Sequence, residues 1–305
     1  MSPQPLVLAV PVFRAERFLA HTLESLNAQG AAVRWWLQDG NSDDRTLEIA
    51  RALARESDTV ASCADAGQAD AINHAMDAMG GEIIGFINGD DILAPGSAER
   101  VLAYFHEHPE VDLIYGSVDW MDADGTITGH HQGSIETAAD ILDIYRIWWG
   151  KRQWVQPEVF YRRRLWAKVG GFDTRWHLAF DFDFWVRCFF AGARVAHVPG
   201  IVARFRIHAA QKSNASERAA DEIRTIVGEH LSTLPPIGAW RRFLLRTHLS
   251  YDLYQLGKST PQGESKPRFL PSLLAHPQWL LCLLVRQRVQ SSLAKLLGLR
   301  RRKVT

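Results

Sequence analysis

Two groups of closely spaced acids are the residues of this chain best suited to chemistry. The first, Asn88-Gly89-Asp90-Asp91, directly follows the apolar run from Ile83 to Ile87, so a buried strand is predicted to end in two adjacent carboxylates. The second consists of Asp181 and Asp183. Carboxylates at a strand end suit hard cations such as Mg²⁺ or Mn²⁺, and a carboxylate in a cleft can accept a proton from a reacting hydroxyl group. The chain therefore offers a candidate cation site and a candidate general base.

Both groups also have a purely structural interpretation. Asp91 or Ser97 could cap the helix around Val101, and Asp181 or Asp183 could cap the helix that begins beside them, where a negative charge favours the positive helix end. The i, i+2 spacing of the second pair predicts divided roles, with one side chain in the cleft and the other at the helix cap.

Short apolar runs alternate with amphipathic segments ahead of the first acid group, and this alternation predicts how the acids are positioned. Strands are predicted at Leu6–Val12, Ala31–Gly40 and near Thr59–Ser62, before the strand that ends at Asn88. Helices with apolar residues at i, i+3 and i+4 spacing separate them. The fold class is therefore α/β, with a doubly wound, mostly parallel sheet flanked by helices.

Ligands of such a sheet bind beyond the carboxyl ends of its strands, near the point where the strand order reverses. These ends carry Asp39, Asp65 and the acids after Asn88, so the predicted crevice is negative. An anionic ligand would be repelled there unless a divalent cation intervened. The crevice thus predicts Mg²⁺ or Mn²⁺ as a cofactor.

Composition and charge exclude several classes of protein. The net charge of +1 over 305 residues gives no reason to expect a nucleic-acid partner. Cys63, Cys188 and Cys282 are scattered, which argues against a disulfide framework or a zinc site and fits a reducing cytosol. The N-terminus lacks the basic segment of a signal peptide, and no apolar run reaches the roughly 18 residues of a membrane span. We expect a cytoplasmic location.

Several segments resemble, in order, the motifs of inverting glycosyltransferases of family 2, which have the GT-A fold. They cover roughly residues 6–210 and read "LVLAVPVFRAERFLAHTLESLNAQ", "LQDGNSDDRTLEIA", "DAGQADAINHAMDAMGGEIIGFINGDD", "VGGFDTRW" and "FDFDFWVRCFFAGARVAHV". The resemblance implies transfer of a sugar from a nucleotide-diphosphate sugar, typically UDP-linked, to a hydroxyl of a glycan or lipid-linked glycan in polysaccharide biosynthesis. Metal-assisted displacement would invert the anomeric carbon.

The same resemblance implies roles for particular residues. Asp90 would be a metal ligand, His208 would complete the metal site, and Asp181 would be the general base. The residues implied to contact the nucleotide sugar are Pro11, Val12, Phe13, Asp39, Gln68, Asp70, Asn88 and Gly89. Of these, Asp39 would hydrogen-bond the base. The alternative for His208 is a structural histidine after an apolar strand.

Asn88 departs from the family pattern, because the first acid of the family's Asp-x-Asp motif is a carboxamide here. A carboxamide offers an oxygen or a hydrogen bond but no charge. We therefore expect a metal ion to be held less by the protein and more by the diphosphate.

The resemblance divides the chain at its helical C-terminal part. Residues 1–212 form the predicted GT-A domain, with a nucleotide-sugar-binding half (1–125) and an acceptor-binding half (126–212), where Trp148 and Trp149 are candidates to face the acceptor. Residues 213–305 form a helical, amphipathic and basic extension, with a linker at 257–267. Such a segment suits peripheral contact with a lipid headgroup interface. The alternatives are a helical subdomain packed on the catalytic domain and a dimer contact.

Two other functions remain open from the sequence. A non-catalytic nucleotide-sugar-binding scaffold could use the same fold, and binding without turnover would identify it. A sugar nucleotidyltransferase would favour a glycine-rich phosphate loop after the first strand, and "PVFRAER" lacks those glycines. A dinucleotide-dependent dehydrogenase is disfavoured because no G-x-G-x-x-G follows that strand.

Overall fold

The computed structural model describes residues 4–209, 211, 216–235, 237–259, 269–282, 285 and 289. Its strands β1 to β9 are Leu6–Val12, Val33–Asp39, Thr59–Ser62, Ile83–Phe86, Ile92–Leu93, Leu113–Met121, Ile127–His131, Val159–Arg162 and Val195–Arg206. Its helices α1 to α11 are Leu19–Asn27, Thr46–Leu53, Gln68–Ala78, Ser97–Glu107, Ala138–Ile141, Ile144–Ile147, Arg163–Val169, Phe180–Phe190, Ser216–Thr233, Ala239–Ser259 and Phe269–Ala275.

All strands join one nine-stranded sheet in the order β3-β2-β1-β4-β8-β6-β9-β5, with β7 paired to β6. Strands β1 to β4 pair in parallel, and the order reverses between β1 and β4. Strand β8 is antiparallel to both β4 and β6, whereas β6 and β9 are parallel. The predicted doubly wound α/β sheet is confirmed, and its switch point lies where β1 meets β4.

Strand β1 is buried along its whole length because helices cover both faces of the sheet. Val7 and Ala9 pack in a cluster with residues of α3 and α8, whereas Leu6 and Leu8 pack in a second cluster with residues of α1 and α4. A strand buried on both faces reads as a continuous apolar run, which is why the sequence predicts it so clearly.

The C-terminal helices α9 and α10 pack against the rest of the chain. Ile226 and Val227 of α9 and Leu245 of α10 belong to the same apolar cluster as α8. The predicted linker at 257–267 is wrong at its start, because α10 continues to Ser259; its remainder lies outside the described residues. Among the helices described, none has both the length and the apolar character needed to cross a bilayer.

Candidate active site

The loop after β4 packs closely against the end of β1. A Cβ atom at Gly89 would lie 2.8 Å from Cγ1 of Val12 and 3.4 Å from the Cβ of Ala15. Only glycine fits this approach without a shift. The close contact fixes the backbone of the neighbouring residues Asn88 and Asp90, from which their side chains extend.

Asp90 lies against a histidine from the far end of the sheet. Oδ2 of Asp90 is 2.9 Å from Nε2 of His208, which follows β9. The imidazole also packs on Phe18, with 4.8 Å between ring centroids. The structure thus brings together the two residues that the sequence pairs as metal ligands.

Asp91 is fully buried, and its Oδ2 accepts a hydrogen bond from Nδ2 of Asn88 at 3.3 Å. Its Oδ1 accepts a hydrogen bond from the backbone N–H of Arg206 at 2.9 Å, and Nε of Arg206 donates to the backbone oxygen of Asp90 at 2.8 Å. Burial, and then repulsion from Asp90, raises the pKa of Asp91 well above its ordinary value. The repulsion between Asp90 and Asp91 is therefore reduced in two ways: the buried Arg206 lies beside them, and ionisation of Asp91 is disfavoured.

The alternative interpretation of Asp91 or Ser97 as the cap of α4 does not hold. The N-cap is Gly96, with φ +69°, and no side chain caps the helix there. Asp91 instead binds Arg206, and the hydroxyl of Ser97 donates to the backbone oxygen of Ala94. A left-handed glycine lets the chain turn into the helix without a capping side chain.

A metal ion would find few protein ligands in this crevice. Over the part of the chain that the structure describes, no three His, Cys, Asp or Glu side chains are grouped to hold a metal. Asp90 and His208 offer a carboxylate oxygen and an imidazole nitrogen, a donor set that suits Mn²⁺. A cation here would complete its shell from a diphosphate and water, as Mg²⁺ commonly does. The residues present fit that role.

Three side-chain amides connect α3 to α8 across the crevice. Nε2 of Gln68 donates to Oδ1 of Asn88 at 2.7 Å, and Nδ2 of Asn88 donates to Oε1 of Gln156 at 2.7 Å. Gln156 in turn hydrogen-bonds the carboxyl group of Asp181. This series brings Asp181 to the carboxyl ends of the parallel strands, beside Asn88 rather than on a separate surface.

Asp181 is a buried carboxyl group with few partners. Its side chain lies in the first turn of α8, and Oδ1 accepts a hydrogen bond from the N–H of Phe182 at 2.7 Å. Burial raises the pKa of Asp181 to about 6, although the hydrogen bonds from Gln156 and Phe182 act in the opposite sense. A carboxylate with a pKa in this range can accept a proton at neutral pH.

Asp183 does not cap α8, so that part of the predicted division of roles is wrong. Its carboxylate pairs with Nε of Arg187 at 2.7 Å and with Nε2 of His230 at 3.0 Å. Ala179 is the N-cap residue of α8, and its methyl side chain has no oxygen that could accept a hydrogen bond there. The two acids differ, with Asp183 tied to α9 and Asp181 turned towards Gln156.

The ends of β1, β2 and β3 converge on Gly40. A Cβ atom there would lie 2.7 Å from Oδ2 of Asp65 and 3.5 Å from the ring of Phe13. Asp39, buried beside it, accepts hydrogen bonds from the hydroxyls of Ser42 and Ser62 at 2.5 and 2.7 Å. The three loops thus form one wall of the crevice around a carboxylate held by two serines.

The remaining predicted nucleotide contacts differ in their exposure. Pro11 and Val12 are buried in β1, whereas the ring of Phe13 is 59% exposed at the strand end. Gln68 belongs to the amide series, and Asp70 accepts a hydrogen bond from the N–H of Ala66 at 2.9 Å. Phe13 is therefore the side chain of this group that is open to a stacking ligand, and Asp70 shapes the loop before α3.

The predicted acceptor-facing tryptophans occupy different surroundings. Trp148 packs edge-on against Phe182, with 5.3 Å between ring centroids, beside the candidate base. Trp149 is 45% exposed, and its indole N–H donates to Asp252 of α10 at 3.0 Å. One indole therefore supports the helix that carries Asp181, and the other presents a face to solvent from a fixed position.

Gln156 and Arg206 are site residues that sequence reasoning missed. Gln156 is the first residue of a short 3-10 turn ahead of β8, directly after the extended residue Val155 and before Pro157. Arg206 ends a long apolar strand and is 2% exposed, and an arginine in such a position usually has charged partners.

Comparison with known proteins gives one family and several relatives. The family model described as "Glycosyl transferase family 2" matches residues 7–182. A PGL/p-HBAD biosynthesis glycosyltransferase of Mycobacterium tuberculosis is 30% identical over 200 residues, which are 64% of this chain and 73% of that protein.

Solved structures share the fold at low sequence identity. S. aureus TarS 1-349 in complex with UDP-GlcNAc superposes with a TM-score of 0.63 at 16% identity, covering 92% of this chain and 79% of that chain. The match covers 44% of another, longer TarS chain. The mannosyltransferase PcManGT from Pyrobaculum calidifontis, in complex with GDP-Man and Mn²⁺, gives a TM-score of 0.58 at 17% identity and covers 95% and 80% of the two chains. These likenesses concern the fold alone.

Proposed function

Because the chain belongs to glycosyl transferase family 2 and has the GT-A fold, we propose that it moves a sugar from a nucleotide-diphosphate sugar to a hydroxyl group with inversion at the anomeric carbon. The acceptor class is a glycan or a lipid-linked glycan, and the donor nucleotide is UDP. The UDP-GlcNAc complex of one structural relative supports a UDP-linked donor, and the GDP-Man complex of another supports a nucleotide-diphosphate sugar in general. The sequence relative is itself named a glycosyltransferase.

One observation carries the proposal, namely the series of hydrogen bonds from Asn88 through Gln156 to Asp181. It sets a carboxyl group with a pKa of about 6 beside the strand ends where donors bind in open α/β sheets. A base with such a pKa is ionised at neutral pH and still takes up a proton readily.

The proposed reaction needs one proton acceptor and one stabilised leaving group. The acceptor oxygen bonds to the anomeric carbon as the bond from that carbon to the diphosphate oxygen breaks. The acceptor's proton passes to Asp181, and the bonding electrons leave with the diphosphate. Attack opposite to the leaving group inverts the anomeric centre.

The chain's own residues would hold the donor at both ends. Phe13 is open to stack on a base, and Asp39 lies in the same wall of the crevice. Asp90 and His208 would hold a divalent cation that, when bound, stabilises the negative charge of the departing diphosphate.

We further propose peripheral contact with the cytoplasmic face of an anionic membrane through the C-terminal helices. Leu270 and Leu274 of α11 are 64% and 74% exposed, and Trp240 and Phe243 of α10 stack on the surface with 5.6 Å between ring centroids. The sequence ends in a basic segment, "RRRK", which would attract anionic headgroups.

Asp181→Asn tests the base. We expect turnover to fall by about 10²- to 10⁴-fold, because an amide cannot accept the proton, while donor affinity stays near that of the wild type. Wild-type kcat should itself fall as the pH drops below about 6, since Asp181 becomes protonated there. Both would be measured by following nucleoside diphosphate release across a pH series with UDP-linked sugars.

Asp124→Asn, an exposed acid in the β6–β7 turn, is the matched control and should behave as wild type. Retained turnover in Asp181→Asn would remove Asp181 from the role of base. A wild-type protein that binds donor but neither transfers nor hydrolyses it would favour the binding scaffold instead.

Asp90→Ala tests the cation site. Donor affinity in the presence of Mn²⁺ should fall by at least the roughly 10- to 100-fold lost when a supporting group of a metal site is removed. Isothermal titration with and without Mn²⁺ would measure it, with Asp124→Asn again as control. Equal affinity for donor in both conditions, in wild type and variant, would contradict a cation held by Asp90.

A further inference from the structure

Glu222 of α9 makes direct contact with the start of the helix that carries Asp181. Its Oε2 accepts hydrogen bonds from the backbone N–H groups of Leu178 at 2.8 Å and Ala179 at 3.0 Å. The side chain of Glu222 is 11% exposed. The family match ends at residue 182, so this contact comes from a part of the chain that the match does not include.

Helix α8 has no capping side chain of its own. Ala179 occupies the N-cap position and offers no side-chain oxygen. The first N–H groups of a helix lack partners within it and need an acceptor from elsewhere. Glu222 accepts from the N–H of the N-cap residue Ala179 and of Leu178 just before it, and its negative charge also lies at the positive end of the helix. The contact is made next to the base, since Asp181 follows Ala179 by two positions.

The charge of Glu222 also reaches Asp181. Burial is the main reason that the pKa of Asp181 is raised, and repulsion from Glu222 adds to it. Asp183, on the same helix, is paired with Arg187 and with His230 of α9.

Gln156 and Arg218 also lie near Glu222 and Asp181. Gln156, which approaches Asp181 from the turn before β8, is neutral. Arg218 approaches the other oxygen of Glu222 at 3.6 Å from the exposed side of α9. Glu222 is thus the residue of α9 whose negative charge contributes to the raised pKa of Asp181.

We propose that α9 completes the active site, with Glu222 as a positioning residue that holds the start of α8 and thereby orients Asp181. The inference rests on the proposed function, because it concerns the orientation of the base in that reaction. It means that the C-terminal helical part is a component of the catalytic site as well as a packing element.

Two substitutions separate the hydrogen bonds from the charge. Glu222→Gln keeps an oxygen that can accept from Leu178 and Ala179, so it should retain most of the turnover at high pH. Because the repulsion is gone, the acid limb of its pH–kcat profile should move to lower pH. Glu222→Ala removes both effects and should lower kcat by about tenfold or more with little change in the donor KM, as expected when a reacting group is misplaced.

Hydrogen exchange gives a measurement that does not need activity. The amides of Leu178 and Ala179 should exchange faster in Glu222→Ala than in wild type, and should remain protected in Glu222→Gln. Glu229→Gln is the matched control, because Glu229 lies on the same helix, is 47% exposed and approaches Arg175 at 3.6 Å. It should leave both the exchange and the pH profile unchanged.

The outcomes distinguish this inference from the proposed function. If Asp181→Asn is inactive but both Glu222 variants keep the wild-type kcat and acid limb, α9 only packs against α8 and the inference is overturned. If Glu222→Ala fails to fold, an unshifted acid limb in Glu222→Gln still overturns it. Equal activity of wild type and Asp181→Asn would overturn the proposed function and this inference together.

Discussion

Asp181 is held between two opposing effects, and burial outweighs hydrogen bonding. Its pKa rises from 3.8 to about 6 although Gln156 and Phe182 both donate to the carboxyl group. A shift of this size corresponds to about 3 kcal/mol. Because the folded state binds the proton more tightly than the unfolded chain does, the stability that the protonated group confers declines as the pH rises from about 4 and is lost above about 6.

Gln156 is the residue whose substitution should disturb this balance most directly. Gln156→Glu keeps the size of the side chain but adds a charge and, when ionised, cannot donate to Asp181. We expect kcat to fall by about 10²-fold and the acid limb of the pH profile to move to higher pH, since ionised Asp181 would be disfavoured. Steady-state kinetics over a pH series would measure both.

Gln132→Glu, at an exposed position, controls for the added charge and should leave kinetics unchanged. An acid limb in Gln156→Glu at the wild-type position would show that Gln156 does not act on the base.

At the scale of elements, the parallel strands were predicted well because burial gives them a clear pattern. Strand β1 has the predicted bounds, Leu6–Val12, and β3 lies at Thr59–Ser62 as expected. Strand β2 begins later than predicted because Gly30–Ala32 forms a short 3-10 turn. An apolar run predicts where a strand lies, but it does not exclude a turn of small residues at its edge.

Helix caps were predicted poorly because their partners are not local. The sequence suggested acids near α4 and α8 as caps, yet α4 begins at a left-handed glycine. For α8 the acceptor is Glu222, more than forty positions away along the chain. Local rules for caps consider only neighbouring residues, so a cap supplied by another helix leaves no signal in the sequence.

The candidate site was only partly predictable, because some of its residues are brought together by contacts between distant parts of the sequence. Acids at strand ends indicate a crevice, so Asp39 and Asp90 stand out from their positions, whereas Asp181, at the start of a helix, was assigned through the family resemblance. Gln156 and Glu222 carry no comparable signal, because a glutamine in a loop and an acid on a polar helix are common on any surface. Only the fold shows that both contact the segment around the base.

At the scale of the whole molecule, the proposed chemistry lies where the parallel strands β1 to β4 meet the mixed part of the sheet. Helix α8 packs in one apolar cluster with residues of β1 and β4 as well as of β6 and β8. Gln156, in the turn before β8, contacts Asn88 after β4. The proposed base and the proposed donor site are therefore supported by the same core.

The proposed membrane contact is also argued at the scale of the whole molecule. We expect the wild-type protein to sediment with anionic vesicles of phosphatidylglycerol and phosphatidylcholine. The double variant Leu270→Asp with Leu274→Asp should remain in the supernatant, because buried charges oppose insertion. Vesicles of phosphatidylcholine alone should bind less protein, since the basic segment finds no partner.

Ile127→Asp, at an exposed apolar position on β7, is the control for adding charge to the surface and should still sediment. No binding of wild type to anionic vesicles would favour the C-terminal helices as a packed subdomain only.

The side-chain amide of Asn88 restricts which pairs of residues can occupy positions 88 and 156. Every link from Gln68 to Asp181 runs one way, each amide nitrogen giving its hydrogen to the next oxygen. An ionised aspartate at 88 would have no hydrogen to give, so Gln156 would have to rotate and turn its oxygen towards Asp181. Two oxygens would then face each other where the base must ionise. An aspartate at position 88, as in the Asp-x-Asp motif that this segment resembles, would therefore require a compensating change at residue 156.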